Sequence, residues 1–195
     1  MTTSLAVVNE ALIKLGASPI ASLDDAGAQA TTASALFKTT KDNLLAQTPW
    51  FWALKKVELA RISLADGEFN EYADYSYVYQ LPSDRIRLLG LETCERFRVM
   101  RDRLWTNDKA PVLLYVYDAP ISAWPGYFRE IVVDYLAGKM AISVTDSSSR
   151  ANLWLSVADQ GRVRAMSLDA QQTPVEVFAL MQVYLRSSNN PLAVG

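Results

Sequence analysis

The sequence predicts an α+β fold, and three observations carry that prediction. Residues 5–47 repeat their apolar positions at helical spacing, residues 50–118 switch to strand-like alternation rich in aromatic and branched side chains, and the helical period returns after Pro120. The expected architecture is a four-helix body, two N-terminal and two C-terminal helices, with a small antiparallel sheet inserted between the pairs and a C-terminal arm. One domain is expected over residues 1–173, with helices over 4–47 and 125–171, a sheet lobe over 50–118, and the arm over 174–195.

Leu5, Val8, Leu12 and Leu15 define the apolar stripe of the first helix, which Thr3 or Ser4 starts and Gly16 stops. Ser18-Pro19 makes an extended link, and Ile20 and Leu23 are expected to fold back onto the helix. Asp24-Asp25 suits the positive end of a second helix, which runs from about Ala28 to Gln47 before Pro49. Its buried stripe is read as Ala33, Leu36, Phe37 and Leu44.

From Trp50 the run WFWALKKVELA reads as a strand, followed by a polar loop over 63–74. Tyr75, Tyr77 and Tyr79 alternate as a second strand, Leu81-Pro82-Ser83-Asp84 turns, and Ile86–Leu89, Phe97–Val99, Arg103–Thr106 and Val112–Tyr117 follow as short strands. Asn107-Asp108 is expected to close a hairpin between the last two. Pro125 fits the first position of the third helix, whose face is Phe128, Ile131, Val132, Tyr135, Leu136 and Met140. Asp146–Ser149 breaks the chain and recaps it, and a fourth helix covers about Arg150 to Gln171, with Leu153, Val157, Val163 and Leu168 as its apolar residues and Gly161 in its middle.

Composition narrows the function. Half of the 195 residues are hydrophobic, and the net charge is −2 from 19 basic and 21 acidic residues, so no general electrostatic attraction to nucleic acid or membrane is expected. There is no histidine, which removes the commonest general base and metal ligand. The lone Cys94 cannot form an internal disulfide and sits beside Glu95, whose charge opposes a thiolate. No phosphate loop, metal-ligand spacing or Ser-x-x-Lys pattern stands at a helix start. No catalytic residue, metal ligand or cofactor is therefore expected. A reducing compartment and a cytosolic product are the default readings.

Five tryptophans and nine tyrosines are generous for this length, and such side chains serve cores and interfaces alike. The candidate interface residues are Trp50, Trp52 and Trp124, together with Val175, Val177, Phe178, Met181 and Tyr184 of the apolar arm, whose period fits strand and helix equally. Arg85, Arg87, Arg96, Arg98, Arg101 and Arg103 interleave with Asp84, Glu92, Glu95 and Asp102. They read as the solvated face of strands, or as a rim contact for an acidic partner.

Three stretches resemble the tail tubular protein A family, the head-to-tail adaptors of short-tailed double-stranded DNA phages. They are LAVVNEALIKLGASPIASLDD at 5–25, DNLLAQTPWFWALKKVELA at 42–60 with YVYQLPSDRIRLL at 77–89, and YDAPISAWPGYFREIVVDYLAGKMA at 117–141. The resemblance implies a non-enzymatic virion protein at the head–tail junction, made in the host cytoplasm. It would form a homo-oligomeric ring, usually of twelve copies, joining the portal protein to the tail nozzle. DNA would pass through its channel during ejection without sequence-specific binding. The alternatives are a stopper or tail-completion protein of the same junction, and a carboxylate-based cell-wall hydrolase, which would require two acidic side chains in a cleft.

Overall fold

The computed structural model describes residues 3–63 and 74–172. Its contacts divide these residues into two compact units: a helical unit, Met1–Trp52 with Ala119–Gln172, and a sheet unit that spans Ala53–Asp118. The α+β class is as expected. The sheet is not single: the strands form two small antiparallel sheets.

In the helical unit, α1 (Ser4–Lys14) begins where Thr3 Oγ1 accepts the amide of Ala6 and ends at Gly16, whose φ of +76° no β-carbon would favour. The Ala17 amide reaches back to the Leu12 carbonyl, closing the cap. Asn9 then clasps the backbone of Ile20 in both directions, at 3.0 and 2.9 Å, so the chain does return to the helix as expected. Helix α2 is Ala28–Gln47, with Gly27 at its N-cap and no acidic residue in its first turn. The expectation for Asp24-Asp25 is therefore corrected: Asp25 instead accepts the Ser22 amide and closes a loop turn. Its buried stripe is Ala30, Ala33, Thr40, Leu44 and Leu45, while Leu36 and Phe37 are half-buried.

Helix α3 (Gly126–Thr145) follows Pro125, which serves as the cap rather than the first helical residue. It is the centre of the unit, with Phe128, Ile131, Val132, Val133, Leu136, Ala137, Met140 and Ala141 all buried. Asp146, in the left-handed conformation at φ 51°, stops it. Ser147 then caps α4 (Ser148–Gln171) by accepting the Arg150 amide. Gly161 does not interrupt α4.

In the sheet unit, the expected strand at Trp50 starts later, because Phe51–Ala53 is a 3-10 turn. The strands are β1 (Leu54–Glu58), β2 (Arg61–Ile62), β3 (Tyr77–Gln80), β4 (Arg85–Leu91), β5 (Phe97–Met100), β6 (Arg103–Thr106) and β7 (Val112–Tyr117). One sheet has the order β1-β7-β4 and the other β2-β3-β6-β5. Asn107-Asp108 thus connects strands of different sheets and is not a hairpin turn. The tight hairpin is β5–β6, turned by Arg101 at φ 57°. Tyr79, Leu81, Leu91, Leu104, Leu113 and Tyr115 fill the core of this unit.

Candidate functional site

Trp50 has no exposed surface and Trp124 is 9% exposed, so neither is available to a partner. Both stand in an aromatic cluster of the helical unit centred on Phe128. Trp50, Trp52 and Trp124 meet its ring edge-on at centroid separations of 5.3, 4.8 and 5.1 Å, and Phe37 stacks on Trp124 at 6.2 Å. The Trp50 indole N–H donates to the Leu44 carbonyl and that of Trp124 to the Ala119 carbonyl, whereas the buried Trp52 indole nitrogen has no hydrogen-bond partner among the described residues. The interface reading of Trp50 and Trp124 is corrected to core packing. Pro49, beside Trp50, follows the end of α2, and Pro125, beside Trp124, caps α3. Trp52 is half-buried. Val175, Val177, Phe178, Met181 and Tyr184 lie outside the described residues.

One carboxylate organises this cluster. Asp169 of α4 is 4% exposed. It accepts the Phe51 amide at 2.7 Å and the Tyr127 hydroxyl at 2.8 Å. Burial pushes its carboxyl above the ordinary aspartate range. The bonds from Phe51, Tyr127 and the Trp52 amide pull it the other way without overcoming burial. Burial and the adjacent carboxylate likewise push the Tyr127 hydroxyl far up, so it stays a donor. Sequence reading passed over Asp169. It continues the face of Ala151, Ala158 and Ala165, which recur every seven residues, but alanines mark a face only faintly in a sequence.

A groove of about 230 Å³ lies between α3 and α4. Ile131, Gly161 and Ala165 are among its lining residues, and Glu130, Asp134 and Arg164 bring charge to it. The two carboxylates are the feature a cell-wall hydrolase would need. Asp134, however, is buried and holds Lys14 Nζ at 2.5 Å, an ion pair that ties α1 to α3. Among the described residues no group of three acidic, cysteine or histidine side chains could hold a metal ion. Cys94 is exposed, in a left-handed turn at φ 56°.

The outer surface of α4 differs from the expectation for an amphipathic helix. Its core-facing stripe is small: Ala151, Ala158 and Ala165 are buried. Its large apolar side chains point out, with Leu153 58%, Val163 62%, Met166 42% and Leu168 44% exposed. The two helices approach closely: a β-carbon at Gly138 of α3 would lie 2.8 Å from Leu155 Cγ of α4, and the glycine makes room for that leucine.

In the sheet unit, Arg87, Arg96 and Arg101 are exposed, and Arg85 donates to the Pro82 and Arg101 carbonyls. Lys55 bonds Asp84 at 2.7 Å and Lys56 bonds Glu92 at 2.7 Å, so acidic groups answer the basic ones locally. Among the described residues no helix is long and apolar enough to cross a membrane. No known protein family and no curated protein matches the sequence.

Proposed function

We propose that the chain is a structural adaptor of a phage head–tail junction, a homo-oligomeric ring, usually of twelve copies, joining the portal protein to the tail and leaving a channel for DNA. The observation that carries the reading is where the three family-like stretches fall. Residues 5–25 cover α1, its glycine stop and the link held by Asn9. Residues 42–60 cover the end of α2, the 3-10 turn and β1. Residues 117–141 cover the passage from β7 into α3. The resemblance thus coincides with the joints of the chain rather than with scattered apolar positions.

The near-neutral composition supports passage of DNA without retention, since a strongly basic lining would hold phosphates. A ring requires head-to-tail contacts between two different faces of each copy. Light scattering and negative-stain microscopy, with the protein alone and with a portal of a short-tailed phage, test the proposal. A ring, alone or on the portal, is the expected result. A monomer at all concentrations that never joins a portal overturns it. Deleting residues 174–195 tests the arm, and unchanged ring assembly and portal attachment would remove the arm from the reading.

A further inference from the structure

The seven lysines differ in what holds the amine. Five are paired with carboxylates: Lys14 with Asp134, Lys38 and Lys41 with Asp42, Lys55 with Asp84, and Lys56 with Glu92. Lys109 is exposed on the sheet unit. Lys139 is unlike these six. It is half-buried on α3, and its Nζ donates at 3.0 Å to the hydroxyl of Thr40 on α2, a residue 1% exposed. No carboxylate among the described residues shares this contact. On the helices packed around α3, Asp42 is held by Lys38 and Lys41, Glu10 by Arg129, and Asp159 and Asp169 by tyrosine hydroxyls. Burial without a counter-charge disfavours the ammonium form and lowers the pKa of Lys139. A hydroxyl oxygen that accepts from Nζ–H leaves the nitrogen lone pair unoccupied once the ammonium has lost a proton.

We propose that Lys139 is an amine nucleophile and an acylation site, taking its acyl group from a small acyl phosphate. The neutral Nζ attacks the carbonyl carbon. An amide C–N bond forms as the C–O bond to phosphate breaks, and the amine proton leaves with the inorganic phosphate. Partial removal from water is what prepares a lysine for such attack, and the part of the side chain still in water gives the donor access. The surroundings select an anionic donor. At the five paired lysines a carboxylate occupies the amine and repels a phosphate, and at Lys139 no such group stands in the way. Thr40 is itself too buried to be acylated. Acylation removes a charge that no ion pair compensates, so the helical unit loses no salt bridge by it. The site does not depend on assembly into a ring and stands or falls independently of the adaptor reading.

Acetylation of the full chain by acetyl phosphate near neutral pH tests the proposal, with the rate at each lysine read by peptide mass spectrometry and Lys109 as the internal standard. Lys139 is expected to react at least about threefold faster than Lys109, and an equal or slower rate overturns the proposal. The same reaction in urea gives the second readout. There the fold no longer shields Lys139, and the ratio of the two rates is expected to fall to about one. A ratio unchanged by urea overturns the proposal, because the selectivity would then belong to the local sequence and not to the site. The third readout is the pH profile of the two rates in the folded chain. The rate at Lys139 is expected to level off at a lower pH than the rate at Lys109. Coincident profiles overturn the proposal.

Discussion

Tyr127 in the helical unit and Tyr115 in the sheet unit each donate a hydroxyl hydrogen bond to an aspartate, at 2.8 Å to Asp169 and 3.0 Å to Asp84. Both tyrosines are raised in pKa by burial and then by their carboxylate, Tyr115 to about 12. The aspartates respond in opposite directions. Asp169 is buried, the donors Phe51, Tyr127 and Trp52 that bond it are neutral, and burial raises it. Burial also pushes Asp84 up, but the bonds from Lys55 and Tyr115 and the charge of Lys55 outweigh it, and its pKa falls. The same side-chain pair is therefore a core fixture in one unit and a surface ion-pair member in the other. What decides is a cation within reach and access to water, not residue type.

The comparison can be broken most forcefully at the two cores. Trp50→Ala should destabilise the helical unit by about 3–5 kcal/mol, and Leu104→Ala the sheet unit by about 2–5 kcal/mol. Four of the five tryptophans, at 50, 52, 124 and 154, belong to the helical unit. In a Trp105→Phe background, urea unfolding followed by fluorescence therefore reports that unit alone. Coincident midpoints for Trp50→Ala by fluorescence and by circular dichroism would show that the two units unfold together.

At the aspartates the asymmetry should persist. Asp169→Ala strands the Phe51 amide and the Tyr127 hydroxyl, at about 1–3 kcal/mol for each buried group left unpaired. Asp84→Ala strands one such donor, the Tyr115 hydroxyl, at about 1–3 kcal/mol, while Lys55 is itself exposed and remains solvated, so it should cost less than Asp169→Ala. Chemical denaturation of the two variants beside the wild type decides the order.

The pH dependence should carry opposite signs. Asp169 favours its protonated form when folded, so its contribution is present below 3.8 and is lost as pH rises through the raised value. Asp84 favours its charged form, so its contribution is present above 3.8 and is lost as pH falls. Between pH 3 and 7 the stability of the wild type relative to Asp169→Asn should decline, and relative to Asp84→Asn should grow. Parallel slopes would remove the distinction between the two sites. The smallest effect is expected at Lys38, which is paired with Asp42 one turn away on the surface of α2. Lys38→Ala should change the urea midpoint by the equivalent of about 0.3–0.5 kcal/mol.

The helix bounds were legible because each carries local punctuation. Thr3, Gly16, Pro49, Asp146 and Ser147 act on their own neighbours, and the structure finds them at or next to the ends they mark. The strands Arg103–Thr106 and Val112–Tyr117 were legible for the same reason. Pairing was not. Alternation tells which residues share a face and nothing about which strand lies alongside, so β6 and β7 read as neighbours although they belong to different sheets. The inversion of α4 was hidden because a stripe of alanines gives almost no periodic signal, whereas Leu153, Val157 and Leu168 give a strong one on the wrong side. Asp169 was hidden for a related reason: its partners Phe51 and Tyr127 lie 118 and 42 residues away.

The alanine seam has a consequence for the alignment of α4 itself. Ala151, Ala158 and Ala165 repeat every seven residues, so sliding the helix by one heptad, roughly 10.5 Å of axial travel, would lay the stripe back on its own pattern. Small side chains offer shallow ridges that oppose such a slip weakly. Two features do not repeat: the notch at Gly138 that admits Leu155, and the single acceptor Asp169 that must meet Phe51 and Tyr127. They act as the index marks of an otherwise uniform rail. Without both, the repeat of the alanines alone would not fix a unique alignment of α4 to α3.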